Sequence, residues 1–364
     1  MSFFNTLSKL SKLDFGNFSK GISEQNVLNA IEYTNLSYTQ FLTLLSLPAQ
    51  KYLEPMAQKA NGLTLQNFGK VIGLYTPIYL SNYCENKCLY CGFNADNKIK
   101  RKKLSLKELE QEAKLISKTQ LHSVIILTGD SRNITPVKYI ADSITVLNKH
   151  FSSVSIEVYA LSQKEYANLI TAGLDGVAIY QETYNQKLYK KLHPVGPKKD
   201  FYFRLDAPER ACKEKIRNVS VGALLGLDDW RRDIFFTAMH AKYLQDNYPE
   251  TDISISLPRL CPHEGKFKGS NPPGKKDFVQ IITALRIFLP KVGINISTRE
   301  ESNFRKNLIG LGVTKMSAGV STAVGGRTQK SKSKQFEISD KRTVEQMQKM
   351  VTGKGYQPVL KDWI

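Results

Sequence analysis

Three cysteines, Cys84, Cys88 and Cys91, fall within the eight residues Cys84-Glu-Asn-Lys-Cys88-Leu-Tyr-Cys91, at C-x₃-C-x₂-C spacing. Thiolates are soft ligands that suit iron–sulfur clusters and zinc. Three of them on one short loop can cap three irons of a [4Fe–4S] cube and leave the fourth iron without a protein ligand. An open iron suits a site where a small molecule must coordinate. Zinc would want a fourth ligand, commonly from a second C-x₂-C or an H-x₃₋₅-H pair. The five histidines, at positions 122, 150, 193, 240 and 263, never stand at that spacing. A disulfide reading leaves an odd count of five cysteines and a crowded loop. The cluster is the leading reading, with zinc and inert thiols as its rivals. Cys212 and Cys261 carry no motif, and a buried small hydrophobe is their default.

The elements that would position this loop follow from the apolar pattern. The chain has 364 residues, enough for one large barrel or two smaller domains. Residues 1 to about 70 read as helical, with a capping box at Ser37-x-x-Gln40. Short apolar runs then alternate with amphipathic helices. Strands are expected to begin near 73, 122, 153, 175, 217, 252, 292 and 313. Capping boxes at Ser105-x-x-Glu108 and Ser162-x-x-Glu165 open helices between them, and Gly173 fits a helix C′ position. Eight strands with intervening helices is the count of a (β/α)₈ barrel, with a doubly wound sheet as the competitor. The expected division is a helical extension over 1–70, a barrel over 71–320, and a loop and helix over 321–364 that close the barrel.

The net charge is +19, from 52 Lys+Arg against 33 Asp+Glu. The lysines are spread along the chain, with short clusters at Lys98-Ile-Lys100-Arg101-Lys102-Lys103 and Lys330-Ser-Lys332-Ser-Lys334. No aromatic-interleaved stripe accompanies them, so solvated faces are preferred over a nucleic-acid surface. An acidic protein partner or electron donor is the better functional reading of the charge. No apolar run of 18 residues is present, and the N-terminus lacks the pattern of a signal peptide. Cluster thiols belong in a reducing compartment, so a cytoplasmic protein without a membrane span is expected.

Barrel chemistry lies where strands end. The cysteine loop follows the first strand, and Tyr90 stands just before its last cysteine. This spacing resembles the radical S-adenosylmethionine (SAM) enzymes. The resemblance implies that SAM chelates the open iron and that one electron cleaves it to methionine and a 5′-deoxyadenosyl radical. After the second strand, Leu127-Thr128-Gly129-Asp130 resembles the family's Gly-Gly-Glu motif, so Thr128, Gly129 and Asp130 would hold SAM's amino group. After the third, Glu157 occupies a position that is normally apolar, and a buried carboxylate needs a partner, which makes it a candidate pocket residue.

The run Tyr180-Gln-Glu182-Thr-Tyr184, Leu192-His193-Pro194 and Arg204 is similar to the biotin-synthase-like branch. By that resemblance Glu182 binds the ribose hydroxyls and Arg204 pairs with SAM's carboxylate. The chemistry agrees, since a carboxylate accepts from two vicinal hydroxyls and a guanidinium grips a carboxylate with two bonds. For His193 a structural role is preferred. Gly222-Ala-Leu-Leu-Gly226-Leu-Asp-Asp229 resembles the G-x-I-x-G-x-x-E adenine motif, with Leu224 and Asp229 as departures. Glycines there let backbone approach a flat base.

Later segments narrow the family. Phe203-Arg-Leu-Asp-Ala-Pro-Glu-Arg210, Ser256-Leu-Pro-Arg259, Ser297-Thr-Arg-Glu300 and Met316-Ser-Ala-Gly319 take part, with Gln335-Phe-Glu-Ile-Ser-Asp340 and Val359-Leu-Lys-Asp-Trp363. Together they resemble the 2-iminoacetate synthases, tyrosine lyases of thiamine-thiazole biosynthesis. Val320, Val324 and Arg327 depart from that pattern. The resemblance implies cleavage of the Cα–Cβ bond of L-tyrosine to 2-iminoacetate and p-cresol. It also implies a thiazole synthase partner that takes the imine, and a flavodoxin or ferredoxin-type electron donor. An amino-acid substrate needs a cation for its carboxylate, and Arg299 is the candidate, with Ser317 and Ser321 as hydroxyl donors. The bland alternative for Arg299 is a salt bridge with Glu300 or Glu301.

Three rivals remain. A hydrogenase-maturation tyrosine lyase would carry a second cluster, but no cysteine follows Cys261. A deazaflavin-synthase-like enzyme acting on an aromatic amino acid is the runner-up. A non-catalytic zinc module is the reading from another class. Metal analysis separates the last from the rest: anaerobically reconstituted protein is expected to carry iron and acid-labile sulfide. Zinc without either would favour the zinc module.

Overall fold

The eight apolar runs expected as strands all form strands, close to the expected starts. In the computed structural model, which describes residues 2–15, 18, 21–263, 265, 267, 269, 272–328 and 334–361, they are all parallel. They are β1 (Val71–Ser81), β2 (Ser123–Thr128), β3 (Ser153–Glu157), β4 (Gly176–Glu182), β5 (Asn218–Ala223), β6 (Asp252–Ser256), β7 (Gly293–Ile296) and β8 (Lys315–Ser317). Each pairs with the next, and β1 pairs with both β8 and β2, so the sheet closes on itself. Closure removes sheet edges and leaves the barrel mouth as the place where strand ends converge. The doubly wound alternative is excluded.

Local chemistry accounts for the helix starts. Ser37, Ser105 and Ser162 each accept from the backbone N–H three residues on, while Gln40, Glu108 and Glu165 reach back to the cap. Gly173 follows the C-cap residue Ala172 with φ +94°, the left-handed turn that ends a helix. Ahead of the barrel lie α1 (Phe3–Leu10), α2 (Glu24–Glu32), α3 (Tyr38–Leu44) and α4 (Leu53–Phe68). Phe41 stacks on Phe288 at 4.4 Å, and Gln280 donates to the carbonyls of Leu44 and Ser46. The Phe3 ring stacks on His240 at 4.2 Å.

Three features depart from the sequence expectation. A ninth strand, β9 (Gln357–Val359), pairs with Val71–Gly73 of β1. Three residues that include a proline are too short to show a period of two. The 98–103 cluster is not simply a solvated face. Arg101 donates to the carbonyls of Asn82, Phe93, Asn94 and Asn97, and Lys103 donates to the Ile134 carbonyl at 2.7 Å. Irregular backbone that cannot form a ladder needs such donors, and Arg supplies several from one side chain. Arg327 is likewise spent inside, on the Pro77 and Gly319 carbonyls, the Thr76 hydroxyl and Glu112. Lys330, Lys332 and Trp363 lie outside the described residues.

After β8, Val320, Thr322, Gln335 and Phe336 line a cavity at the barrel mouth, and a buried ion pair fastens the segment that follows them. Arg305, on the helix Ser302–Leu308, pairs with Asp340 and also donates to the Ser317 carbonyl, and both charged side chains are fully buried. Arg342 pairs with the same carboxylate. Burial opposes the Asp340 charge, but the hydrogen bonds from Arg342 and the charge of Arg305 outweigh it and hold the pKa low. Its stabilising contribution is therefore complete above the unfolded carboxylate range and is lost as pH falls through the depressed folded value. Asp340→Ala strands a buried guanidinium and is expected to cost about 3–5 kcal/mol of stability at pH 7, measured by urea unfolding. A cost below about 1 kcal/mol would show that Arg305 finds another partner.

Candidate active site

The cysteine loop begins where β1 ends and has no regular structure, so its position rests on side chains. Asn86 does most of this. Its amide donates to the Asp130 carboxylate at 2.7 Å, and its carbonyl oxygen accepts from the Lys198 backbone at 2.9 Å. The Lys87 and Leu89 amides donate to the carbonyls of Val195 and Leu192, which ties the loop to the segment after β4. Cys84, Cys88 and Cys91 then all line one cavity at the barrel mouth. Burial pushes all three thiols up, Cys84 to about 12. A thiolate here needs the positive charge of a metal to persist. Among the described residues, no three His, Cys, Asp or Glu side chains are arranged to hold a single ion. A cube, in which each thiol caps a different iron, does not require that convergence, whereas zinc does.

The same cavity contains Thr128, Gly129 and Asp130 from the end of β2. The Thr128 hydroxyl is buried with no hydrogen-bond partner among the described residues, the state of a group that waits for a ligand. A Cβ on Gly129 would stand 2.2 Å from the Tyr83 carbonyl oxygen, so only glycine lets the cysteine loop lie against β2. Asp130 is already committed in part, through Asn86. These observations fit an iron–sulfur cluster with a small polar molecule beside it.

At the end of β4 the register against β5 slips between Tyr180 and Glu182, and Glu182 takes a φ of +70°. Such a bulge re-aims a side chain, and left-handed backbone at a non-glycine residue is uncommon. The Glu182 carboxylate accepts from Lys198 Nζ at 2.6 Å, with Arg204 at 3.6 Å. Burial opposes its charge, but Lys198 and Arg204 prevail and hold its pKa below the ordinary value. Arg204 is fixed by its Nε–H on the Tyr180 carbonyl at 2.7 Å. Lys198 went unread in the sequence. The only signal was its place between His193-Pro194 and Arg204.

His193 is structural, as expected. Its Nδ1 faces the Tyr189 carbonyl at 2.8 Å, which can only accept, so Nδ1 carries the proton and Nε2 accepts from the Tyr90 hydroxyl at 2.6 Å. Burial drives the His193 pKa down to about 3 and keeps the ring neutral. Tyr90 thus packs beside Cys88, Leu192, Leu224 and Leu227 in a small apolar cluster. Of the glycine motif, Leu224 lines the cavity, whereas Gly222 and Gly226 do not. A Cβ on Gly222 would stand 2.5 Å from the Ser256 carbonyl oxygen, and Gly226 packs against Pro272 and Leu260. Their close approaches are to protein.

On the opposite wall, Arg299 follows β7. Its guanidinium stacks on Phe336 at 3.5 Å and donates to the Arg259 carbonyl at 3.2 Å. Neither neighbouring glutamate holds it: Glu300 pairs with Arg259, and Glu301 with Lys275. The chain after β8 supplies this wall, with Gln335 also accepting from Tyr79 at 2.7 Å. Ser317 lines the cavity and accepts from the Thr298 amide at 3.1 Å. Ser321 is a correction. It lines a separate hollow with Leu115, Ile116, Arg342 and Thr343, and its hydroxyl accepts from the Ala323 amide. Cys261, read as a buried small hydrophobe, lines the main cavity too.

Residues 78–236 match the Radical SAM superfamily, and residues 256–357 match the Biotin and Thiamin Synthesis associated domain. The chain is 38% identical over 345 residues to the 2-iminoacetate synthase of Salmonella typhimurium, covering 94% of this chain and 92% of that one. The Escherichia coli 2-iminoacetate synthase is 37% identical over the same length and coverage. The crystal structure of HydG, a maturase of the [FeFe]-hydrogenase, superposes with a TM-score of 0.91 at 27% identity, covering 98% of this chain and 80% of that chain. A closed barrel whose mouth gathers three thiols, an orphan hydroxyl and an arginine-lined wall agrees with these matches: the chain belongs to the 2-iminoacetate synthase family of radical SAM enzymes.

Proposed function

We infer that this chain is a radical SAM lyase that cleaves the Cα–Cβ bond of L-tyrosine to 2-iminoacetate and p-cresol, with methionine and 5′-deoxyadenosine formed from SAM. The observation that carries the reading is the meeting of the three thiols and Arg299 across one cavity, in a chain of this family. Cys84, Cys88 and Cys91 would hold a [4Fe–4S] cluster, which supplies the single electron that splits SAM. The Thr128 hydroxyl, the Gly129 backbone and the free oxygen of Asp130 are assigned to SAM's amino group. Glu182 is assigned to the ribose hydroxyls and Arg204 to the SAM carboxylate. Leu224 and Tyr90 offer apolar surface to the adenine, so Gly222 and Gly226 act by shaping the chain that carries Leu224.

Arg299 is assigned to the substrate carboxylate. Stacking on Phe336 fixes the plane of its guanidinium, which leaves N–H groups for a planar anion. Ser317 is the adjacent hydroxyl, and Ser321 drops out of the assignment. The product imine hydrolyses readily in water, which argues for a thiazole synthase as the partner that receives it. The charge of +19 suits an acidic flavodoxin or ferredoxin-type donor. No described helix is long and apolar enough to cross a membrane. The need for reduced thiols supports a cytoplasmic location.

Anaerobic turnover with SAM, a reductant and tyrosine is expected to yield 5′-deoxyadenosine and p-cresol in step. Deoxyadenosine without p-cresol would keep the radical chemistry and refute the substrate. Arg299→Lys replaces a planar two-pronged donor by a point charge. It is expected to weaken tyrosine binding about ten- to hundredfold in equilibrium dialysis, with iron content and SAM binding retained. Ordinary tyrosine affinity in that variant would remove Arg299 from the substrate site.

A further inference from the structure

Among the described residues three carboxylates line the cavity, and two are engaged: Asp130 by Asn86, and Glu182 by Lys198 and Arg204. The third, Glu157, closes β3 on the cavity side, with no hydrogen bond or ion pair from any described residue. The charges that act on it are those of Glu182, Lys198, Arg204 and Arg299, and it acts in turn on the phenols of Tyr75, Tyr79 and Tyr180. Burial, with the Glu182 charge adding to it, raises its pKa to about 7 against the pull of the three cations. A carboxylate kept without a partner in such a place is costly unless it is used.

We propose that Glu157 is the proton acceptor that converts the ammonium of the bound amino acid to the free amine from which a hydrogen atom is then taken. The inference rests on the tyrosine-lyase reading. An ammonium nitrogen has no lone pair to support a nitrogen-centred radical, so the proton must leave before the homolytic step. The N–H electron pair stays on nitrogen as the proton moves to a Glu157 oxygen. The resulting carboxylic acid returns the proton to solvent when products depart. Position favours the amine over the phenol. The amino group is bonded to the carbon that bears the carboxylate, so it stays close to Arg299, with which Glu157 shares the cavity and interacts electrostatically. The floor shared with the cavity below, made by Tyr75, Ile125, Tyr180, Ser256 and Asn295, does not include Glu157.

The base acts when ionised, so kcat/KM for tyrosine should rise with pH through about 7 and then level off. Glu157→Gln keeps shape and removes the acceptor. Its p-cresol formation at pH 7 is expected to fall about a hundredfold and to recover as rising pH supplies free amine. Tyrosine binding, read by equilibrium dialysis in the presence of SAM, should stay within the same order. Glu157→Asp should regain part of the rate. Three results would overturn the assignment: wild-type turnover in E157Q, a loss that stays constant across pH, or E157Q binding phenylalanine as tightly as tyrosine. The last would make Glu157 a reader of the phenol. Wild-type protein assayed alongside separates the two levels, because absence of p-cresol there would refute the lyase reading itself.

Discussion

Charges placed in the mouth of a closed barrel lose water, and the site is arranged by how that loss is offset. Glu182 stays ionised because Lys198 and Arg204 stand against it. Arg305 and Asp340 stay ionised because each is the other's partner at full burial. For the three thiols burial outweighs the pull of Lys198 on Cys88 and Cys91, and pushes their pKa values up. A metal centre would supply the charge that lets them persist as thiolates, and the same low-water environment would strengthen every contact to a bound zwitterion.

The chain after β8 belongs to this arrangement as much as the barrel does. Asp340 fastens that chain to Arg305, Gln335 ties it to Tyr79 on β1, and Phe336 offers the face on which Arg299 lies. A carboxylate reader built on a loop would otherwise be loosely aimed. Here its plane is set by stacking and its edge by the Arg259 carbonyl, while Arg259 is itself held by Glu300. If Arg299 reads the substrate carboxylate as proposed, substrate recognition depends on a buried ion pair on the far side of the Arg299 wall.

The barrel was legible because parallel strands buried on both faces read as short apolar runs, and because serine-led capping boxes mark helix starts. The thiol loop was legible from spacing alone. Side chains whose work is to satisfy loop carbonyls were not. Arg101 and Arg327 look like surface cations or family departures until the carbonyls they serve are located, and no period or motif encodes that need. Lys198 was hidden for a related reason, since its partner Glu182 is aimed by a bulge that sequence spacing does not reveal. Ser321 failed in the opposite way. Its neighbour Val320 faces the main cavity, while the Ser321 hydroxyl turns back to the Ala323 amide.

Glu157 shows where the two kinds of reading meet. An acidic residue in an apolar strand pattern is a local inconsistency, and such inconsistencies concentrate where function overrides stability. Most buried charges in this protein answer the inconsistency with a partner of opposite sign. Glu157 has cations within electrostatic reach and none in contact among the described residues, which leaves its proton affinity near neutrality instead of far below it. A structural carboxylate gains nothing from that balance. A group that must take a proton from an ammonium and later release it to water needs an affinity of this kind, close to the pH at which it works.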